Sequence, residues 1–399
     1  MLVSRLVLGI MFALVAGSAW AGVPALPPTP SVGAGPQALM LEPRSPAQPP
    51  LSQPRAGFQV AGGFHLVSPA AAGTEPIAWM QLRGVNARRA AGANDAFFAQ
   101  MKADNIKLLR VGTFGGTLVG DDGQIDMTMV AQIDATLAMA RKYDMRVVLD
   151  PHTFPGFTDK YTTRPEDAFW TDESYHQTMI GAWEFLANRY KDAGDVIAGY
   201  DLLNEPNTPS LAPVDGPGNW PALATKLVDA IRRIDKVHTI IVHANGGKQK
   251  GKGFRTNIDG LQYLRAPYFT PADTSNLVYQ VHMYEPKEFA LKGEGTYPGE
   301  IGGAYWDKSK LRQTLQPVRD FQTQTGATIY VGEFAPNVRA DNGVGYMSDL
   351  IDILEEYGWA WTFHSYSGNP DFDVTRNPVM YAALRRYWAK NPQNVVAKP

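Results

Sequence analysis

Eight short apolar runs recur along the chain, with helical patterns between most of them. The runs are Trp79–Asn86, Ile106–Thr113, Arg146–His152, Ile197–Glu205, Thr239–Asn245, Leu277–Tyr284, Thr328–Ala335 and Trp359–Tyr366. Such runs read as parallel strands buried on both faces. Parallel neighbours need a long crossover connection, and the intervening stretches supply one. Asp126–Tyr143 is amphipathic, with Ile133, Leu137 and Ala140 at helical spacing, and Pro221–Asp235 opens with proline at a favoured first-turn position. Lys308–Thr325, Val344–Tyr357 and Asn377–Lys390 complete the clearer helices, while the one after the fifth strand, near Ile258–Leu264, is weak. Eight βα units predict an α/β fold, a single (β/α)8 TIM barrel. A doubly wound open sheet is the alternative, but no Gly-rich phosphate turn follows the first strand.

The barrel is expected over residues 58–392, with 393–399 as a C-terminal tail. Ahead of it, residues 1–21 read as a secretory signal peptide: Arg5 supplies the positive charge, Leu6–Ala16 the apolar stretch and Ala19-Trp20-Ala21 a small-x-small cleavage site. An uncleaved anchor is the alternative, disfavoured because that stretch is short for a membrane span. Residues 22–57 form a Pro-rich disordered linker, with ten prolines from Pro24 to Pro54. The chain has no cysteine, which excludes disulfides, thiolate metal sites and a cysteine nucleophile. A formal charge of -2 favours neither nucleic acid nor an anionic membrane as partner. These features predict a secreted or periplasmic monomer with no membrane span in the mature chain.

In such a barrel the C-terminal ends of the strands form the catalytic face. The runs end in Asn86, Arg110, His152, Asn204 with Glu205, His282 with Tyr284, Glu333 and His364, so seven of the eight bring a polar or ionisable group to one rim. Glu205 and Glu333 stand out because a carboxylate ending a buried strand needs water, a substrate or a partner to meet it. Two placed this way suggest paired carboxylate chemistry, with glycosidic bond cleavage as the leading case. One carboxylate would attack the anomeric carbon and must be ionised, which an arginine and a tyrosine hydroxyl nearby would favour. The other would give a proton to the leaving oxygen, and burial beside a negative neighbour would help it keep that proton until needed.

The set resembles glycoside hydrolase family 5, over about residues 75–390. The marks are Asn-Glu-Pro at 204–206, Gly-Glu-Phe at 332–334, Arg110 after Lys107-Leu108-Leu109, His152 in Val148-Leu149-Asp150-Pro151-His152, His282-Met283-Tyr284, and Arg83-Gly84-Val85-Asn86. The resemblance implies a retaining glycosidase acting on a β-linked polysaccharide or oligosaccharide without metal or organic cofactor. An endo-acting β-1,4-glucanase is the specific expectation; mannan, xyloglucan, mixed-linkage glucan or an exopolysaccharide as substrate, and transglycosylation, stay open. It implies that Glu205 is the acid/base and Glu333 the nucleophile. Asn204 would bond the sugar 2-hydroxyl, Arg110 and Tyr284 would hold the nucleophile, and His152 and His282 would line the cleavage subsite.

The eighth strand departs from the family's pattern, which places a tryptophan as the floor of that subsite. Here Trp359-Ala360-Trp361-Thr362-Phe363-His364 offers two tryptophans and a histidine; Trp361 is expected to be the floor. Trp170, Trp220, Tyr305 and Trp306 are expected in catalytic-side loops, and the long loop from Glu285 to Asp307 is expected to wall one end of the cleft. Two rivals remain. A carbohydrate-binding protein without turnover is disfavoured by the intact glutamates. A metal site on His152, His282 and His364 lacks any His-x-His or Glu-x-x-His pair.

Overall fold

The structure, a computed structural model, describes residues 82–87, 94–112, 117–159 and 161–396. The expected signal peptide, the linker and the start of the first apolar run lie outside the described residues. Each of the eight expected runs contains a strand: β1 (Arg83–Asn86), β2 (Leu108–Gly112), β3 (Arg146–Asp150), β4 (Ile197–Asp201), β5 (Ile240–His243), β6 (Leu277–Met283), β7 (Thr328–Phe334) and β8 (Ala360–Phe363). All eight pair in parallel as a closed barrel, with β1 bonded to both β2 and β8.

The helices begin where their caps stand. The Asp126 carboxylate accepts from the amides of Thr128 and Met129 and starts Met127–Lys142. Asn219 caps Trp220–Ile234, leaving Pro221 in the first turn, where no amide partner is needed. Lys308–Thr325 has the expected limits and stops at Gly326, whose φ of 71° a side chain would resist. The weak helix after β5 is one α-turn, Asn257–Gly260, running into a 3-10 turn at Leu261–Tyr263. Ahead of it stands a hairpin absent from the sequence reading, Gly246–Gln249 against Gly253–Arg255, whose first strand pairs with Asn207–Thr208. No described helix is long and apolar enough to cross a membrane.

Inside the barrel the side chains form layers. The lower layer is an apolar ring of Leu82, Leu108, Val148, Ala198, Ile241, Val278, Tyr330 and Ala360, one residue from each strand or its lead-in. Two residues further along most strands, on the same inward face, the layer turns polar: Arg110, Asp150, His243, Gln280 and Thr362, joined by Asp201 beyond a bulge at Ala198. The end beneath the ring is closed by the last residues described. Asn391 Oδ1 accepts from the Arg83 amide, and its Nδ2 donates to the carbonyls of Arg83 and Asn105. Asp144 Oδ1 accepts from the amides of Val395 and Val396, and Val395 packs against the ring. The tail expected from residue 393 is therefore tied into the barrel through Val396.

Candidate active site

Glu333 reaches the centre of the barrel through a defect in β7. Tyr330 and Gly332 face inward, so strict alternation would turn Glu333 outward. The register against β6 slips between Val331 and Glu333, and this bulge swings the carboxylate in. Gly332 makes the bulge possible: a Cβ there would stand 2.4 Å from Gln280 Oε1. Its carbonyl accepts from Asn86 Nδ2 (2.7 Å) and Thr362 Oγ1 (2.6 Å), which fixes the turn.

Arg110, fully buried, rises through the polar layer beneath Glu333. Its Nε donates to Asp201 Oδ2 (2.8 Å), and one terminal nitrogen donates to Glu333 Oε1 (2.8 Å) and Asn86 Oδ1 (3.2 Å). The other donates to Asn204 Oδ1 (2.9 Å) and lies 3.1 Å from Asp150 Oδ2. One guanidinium thus serves three carboxylates. Burial pushes the Asp201 carboxyl up to about 6 despite Arg110, and Asp150 is held below its usual range, burial being outweighed by Arg110 and His152. The Tyr284 hydroxyl donates to the second oxygen of Glu333 (2.9 Å) and meets His364 Nδ1 at 2.7 Å. Burial works to raise the Glu333 carboxyl, but the charges of His364, His282, Arg110 and His152 hold it well below the usual carboxylate range.

Glu205 comes from the segment after β4, with φ at +39°, a conformation a non-glycine residue adopts at a cost of about 1–3 kcal/mol. Two bonds hold it there: its amide donates to His243 Nδ1 (3.0 Å) and its carbonyl accepts from Thr162 Oγ1 (2.9 Å). His243 must therefore keep Nδ1 unprotonated. Burial lowers its pKa, with His282 and Arg110 adding to the effect, so the ring stays neutral. The Glu205 carboxylate accepts from His282 Nδ1 (2.9 Å). Ligand atoms of Glu205, His282 and Glu333 all lie within 4.8 Å of one another. That triad is the set of described residues able to hold a metal, but Arg110 and Tyr284 already engage both Glu333 oxygens.

Of the expected site residues, the structure brings together Glu205, Glu333, Arg110, Asn204, His282 and Tyr284. His152 joins them through its bond to Asp150 (2.7 Å). Trp361 is a correction: it does not reach the cleft. Ala360 and Thr362 face the barrel interior, so Trp361 points outward and is buried against Phe334 and Tyr387, with ring centroids at 5.7 and 6.4 Å. His364, not a tryptophan, lines the cleft from this strand, with Phe372 5.2 Å from its ring. The same alternation, counted from Ala360, points to position 364. His243 was missed, although it ends Ile240-Ile241-Val242-His243 just as the other rim residues end their strands. Trp170, Trp220 and Trp306 are buried, and Trp220 opens a helix instead of lying in a loop; the loop from Glu285 walls the cleft through Glu285, Lys287 and Leu291.

A closed (β/α)8 barrel with two glutamates converging on its C-terminal rim defines a glycosidase of the carboxylate-pair type. Comparison with known proteins narrows the class. The model of the cellulase family, glycosyl hydrolase family 5, matches residues 71–370, and the chain belongs to that family. Endoglucanase C of Acetivibrio thermocellus is 26% identical over 289 residues, covering 63% of this chain and 77% of that protein. Cellodextrinase A of Ruminococcus flavefaciens is 24% identical over 247 residues, covering 60% and 68%. Among solved structures, endoglucanase Cel5A of Thermotoga maritima shares the fold with a TM-score of 0.59 at 21% identity, covering 76% of this chain and 97% of that one. The protein hydrolyses glycosidic bonds.

Proposed function

We propose that the protein is a retaining, endo-acting β-1,4-glucanase in which Glu333 is the nucleophile and Glu205 the acid/base. The observation that carries the mechanism is the carboxylate pair, with oxygens within 4.8 Å. Retaining enzymes hold their carboxyl groups about 5–5.5 Å apart, whereas inverting ones leave about 6.5–9.5 Å for a water. Glu333, ionised between Arg110 and Tyr284, attacks the anomeric carbon and forms a glycosyl ester. Glu205 gives its proton to the departing oxygen. It then takes a proton from the water that opens the ester, and the configuration is retained. Asn204 is already oriented, with Oδ1 on Arg110 and Nδ2 on the Tyr161 carbonyl (2.8 Å), which supports its assignment to the sugar 2-hydroxyl.

The choice of glucan follows the names of the relatives. They also include a beta-xylosidase of Phanerodontia chrysosporium, and Cel5A has been solved with mannotriose, so the test spans those sugars. Product release from β-glucans, mannans and xylans is followed by mass and anomeric configuration, for wild type beside Glu333→Ala and Glu205→Ala. Retained configuration on β-1,4-glucan, lost in both variants, is the expected result. Activity surviving Glu333→Ala would remove that residue from the nucleophile role. The leader reading of residues 1–21 supports action outside the cytoplasm on a glucan.

A further inference from the structure

The cleft extends from Glu205 along an arm whose wall is the hairpin after β5. The hairpin is tied to the acid/base segment: Gly246 pairs with Asn207, and its amide donates to the Pro206 carbonyl (2.9 Å). Phe254 lines this arm, 47% exposed. Its ring lies over Gly246, where a Cβ would stand 3.2 Å from the ring tip. An exposed aromatic laid on the backbone beside a sugar-cleaving pair is a stacking platform.

The charged residues of the hairpin itself, Lys248, Lys250, Lys252 and Arg255, are all positive. Lys248 is directly opposite Phe254 in the antiparallel register, so the two side chains share a face. Lys250 and Lys252 flank the turn at Gly251, and all three lysines are exposed. Lys287 lines the same cleft. Among the described residues none of these four lysines has a carboxylate within ion-pair distance, whereas the neighbouring Arg255 is matched by Asp259 at 2.9 Å. Glu285 lines the cleft with Lys287, and its burial favours the uncharged form; the other carboxylates lining it are the central pair, Glu205 and Glu333. A chain with formal charge -2 thus concentrates unmatched positive charge on the hairpin that carries Phe254, beside the cleft that Lys287 lines.

We propose that this arm binds β-glucan carrying acidic substituents, carboxylate or phosphate, with a sugar ring on Phe254 and the substituents' charge met by Lys248, Lys250, Lys252 and Lys287. The inference rests on the glucanase reading above and names its substrate class. Carboxymethyl and phosphorylated β-1,4-glucans serve as the anionic polymers and hydroxyethyl cellulose as the neutral one. The triple variant Lys248→Gln, Lys250→Gln, Lys252→Gln should lower the ratio of kcat/KM on anionic over neutral polymer by about tenfold at low salt. Raising the salt should bring wild type down towards the variant. The carboxymethyl and phosphorylated arms tell which substituent is preferred. An unchanged ratio, or one insensitive to salt, overturns the proposal. Binding is read separately with full-length Glu333→Gln by electrophoresis through gels containing each polymer. Stronger retardation by the anionic gels, lost on adding the triple substitution, supports the arm even if wild type cleaves none of the polymers and the glucanase reading falls. Equal retardation in all gels refutes it.

Discussion

Gly332→Ala tests whether the β7 bulge is what aims Glu333, the proposed nucleophile. The added Cβ would lie 2.4 Å from Gln280 Oε1, 2.6 Å from its Cδ and 3.1 Å from His282 Nε2. Ordinary contact begins near 3.4 Å, so the closest pair must part by 3.4 − 2.4 = 1.0 Å. Gln280 is fully buried and has little room to yield. The backbone at 332 is held from the other side by Asn86 and Thr362, so the strain falls on the bulge and on the imidazole bonded to Glu205. Overpacking of this kind costs about 1–3 kcal/mol. A misplacement of about 1 Å at a reacting group costs on the order of 10²-fold in rate. The expected variant folds, melts several degrees lower and loses about two orders of magnitude in kcat/KM. Differential scanning calorimetry gives the first quantity and initial rates on a soluble β-glucan the second. Trapping of the glycosyl-enzyme with a slow 2-fluoro glycoside shows whether attack by Glu333 is the slowed step. A variant that melts with wild type and keeps its rate within about twofold would falsify the claim that this close packing positions Glu333.

Three shorter predictions follow. His364→Phe keeps a ring against Phe372 but removes the nitrogen at 2.7 Å from Tyr284; kcat should fall about tenfold with KM little changed, and a change in KM alone would place His364 in substrate binding instead of nucleophile positioning. Asp235 is held at about 2 because the bond from His238, with backbone amides, outweighs burial. Its folded value lies below its unfolded 3.8, so its contribution, about 2 kcal/mol, is full above the unfolded value and is lost as pH falls through 2; Asp235→Asn should flatten the stability profile over that window, and an unaltered acid limb in denaturant titrations would argue otherwise. Treatment with a chelator should leave activity intact, because Glu333's oxygens are committed to Arg110 and Tyr284; loss restored by zinc would reassign Glu205, His282 and Glu333 as ligands.

The sequence was most legible where one periodicity governs. Eight apolar runs became eight barrel strands, and Lys308–Thr325 kept both ends because a cap residue and a glycine mark them. The site was legible as a set of strand-end residues but not in its geometry. Glu333 faces inward only because of a bulge, and bulges leave the apolar pattern almost untouched. Glu205 sits at positive φ, a conformation imposed by His243 and Thr162 from distant parts of the chain. Trp361 was misplaced because the family's pattern calls for a tryptophan on this strand, while strand alternation, the stronger rule, buries it. The hairpin after β5 is only three to four residues on each side and glycine-rich, too short to show a period.

The stitching of residues 391–396 across the beginnings of β1, β2 and β3 bears on how the chain is born. Arg83, Asn105 and Asp144 are made early, yet the groups that satisfy them are made only after the eighth strand. β1 likewise waits for β8 to close the cylinder. A ribosome synthesising this protein therefore holds an open, unfinished sheet until β8 and residues 391–396 have emerged, its apolar staves exposed in the meantime. Closure therefore waits for residues 391–396, and a nascent chain cut before Asn391 would leave the barrel without the stopper at its base.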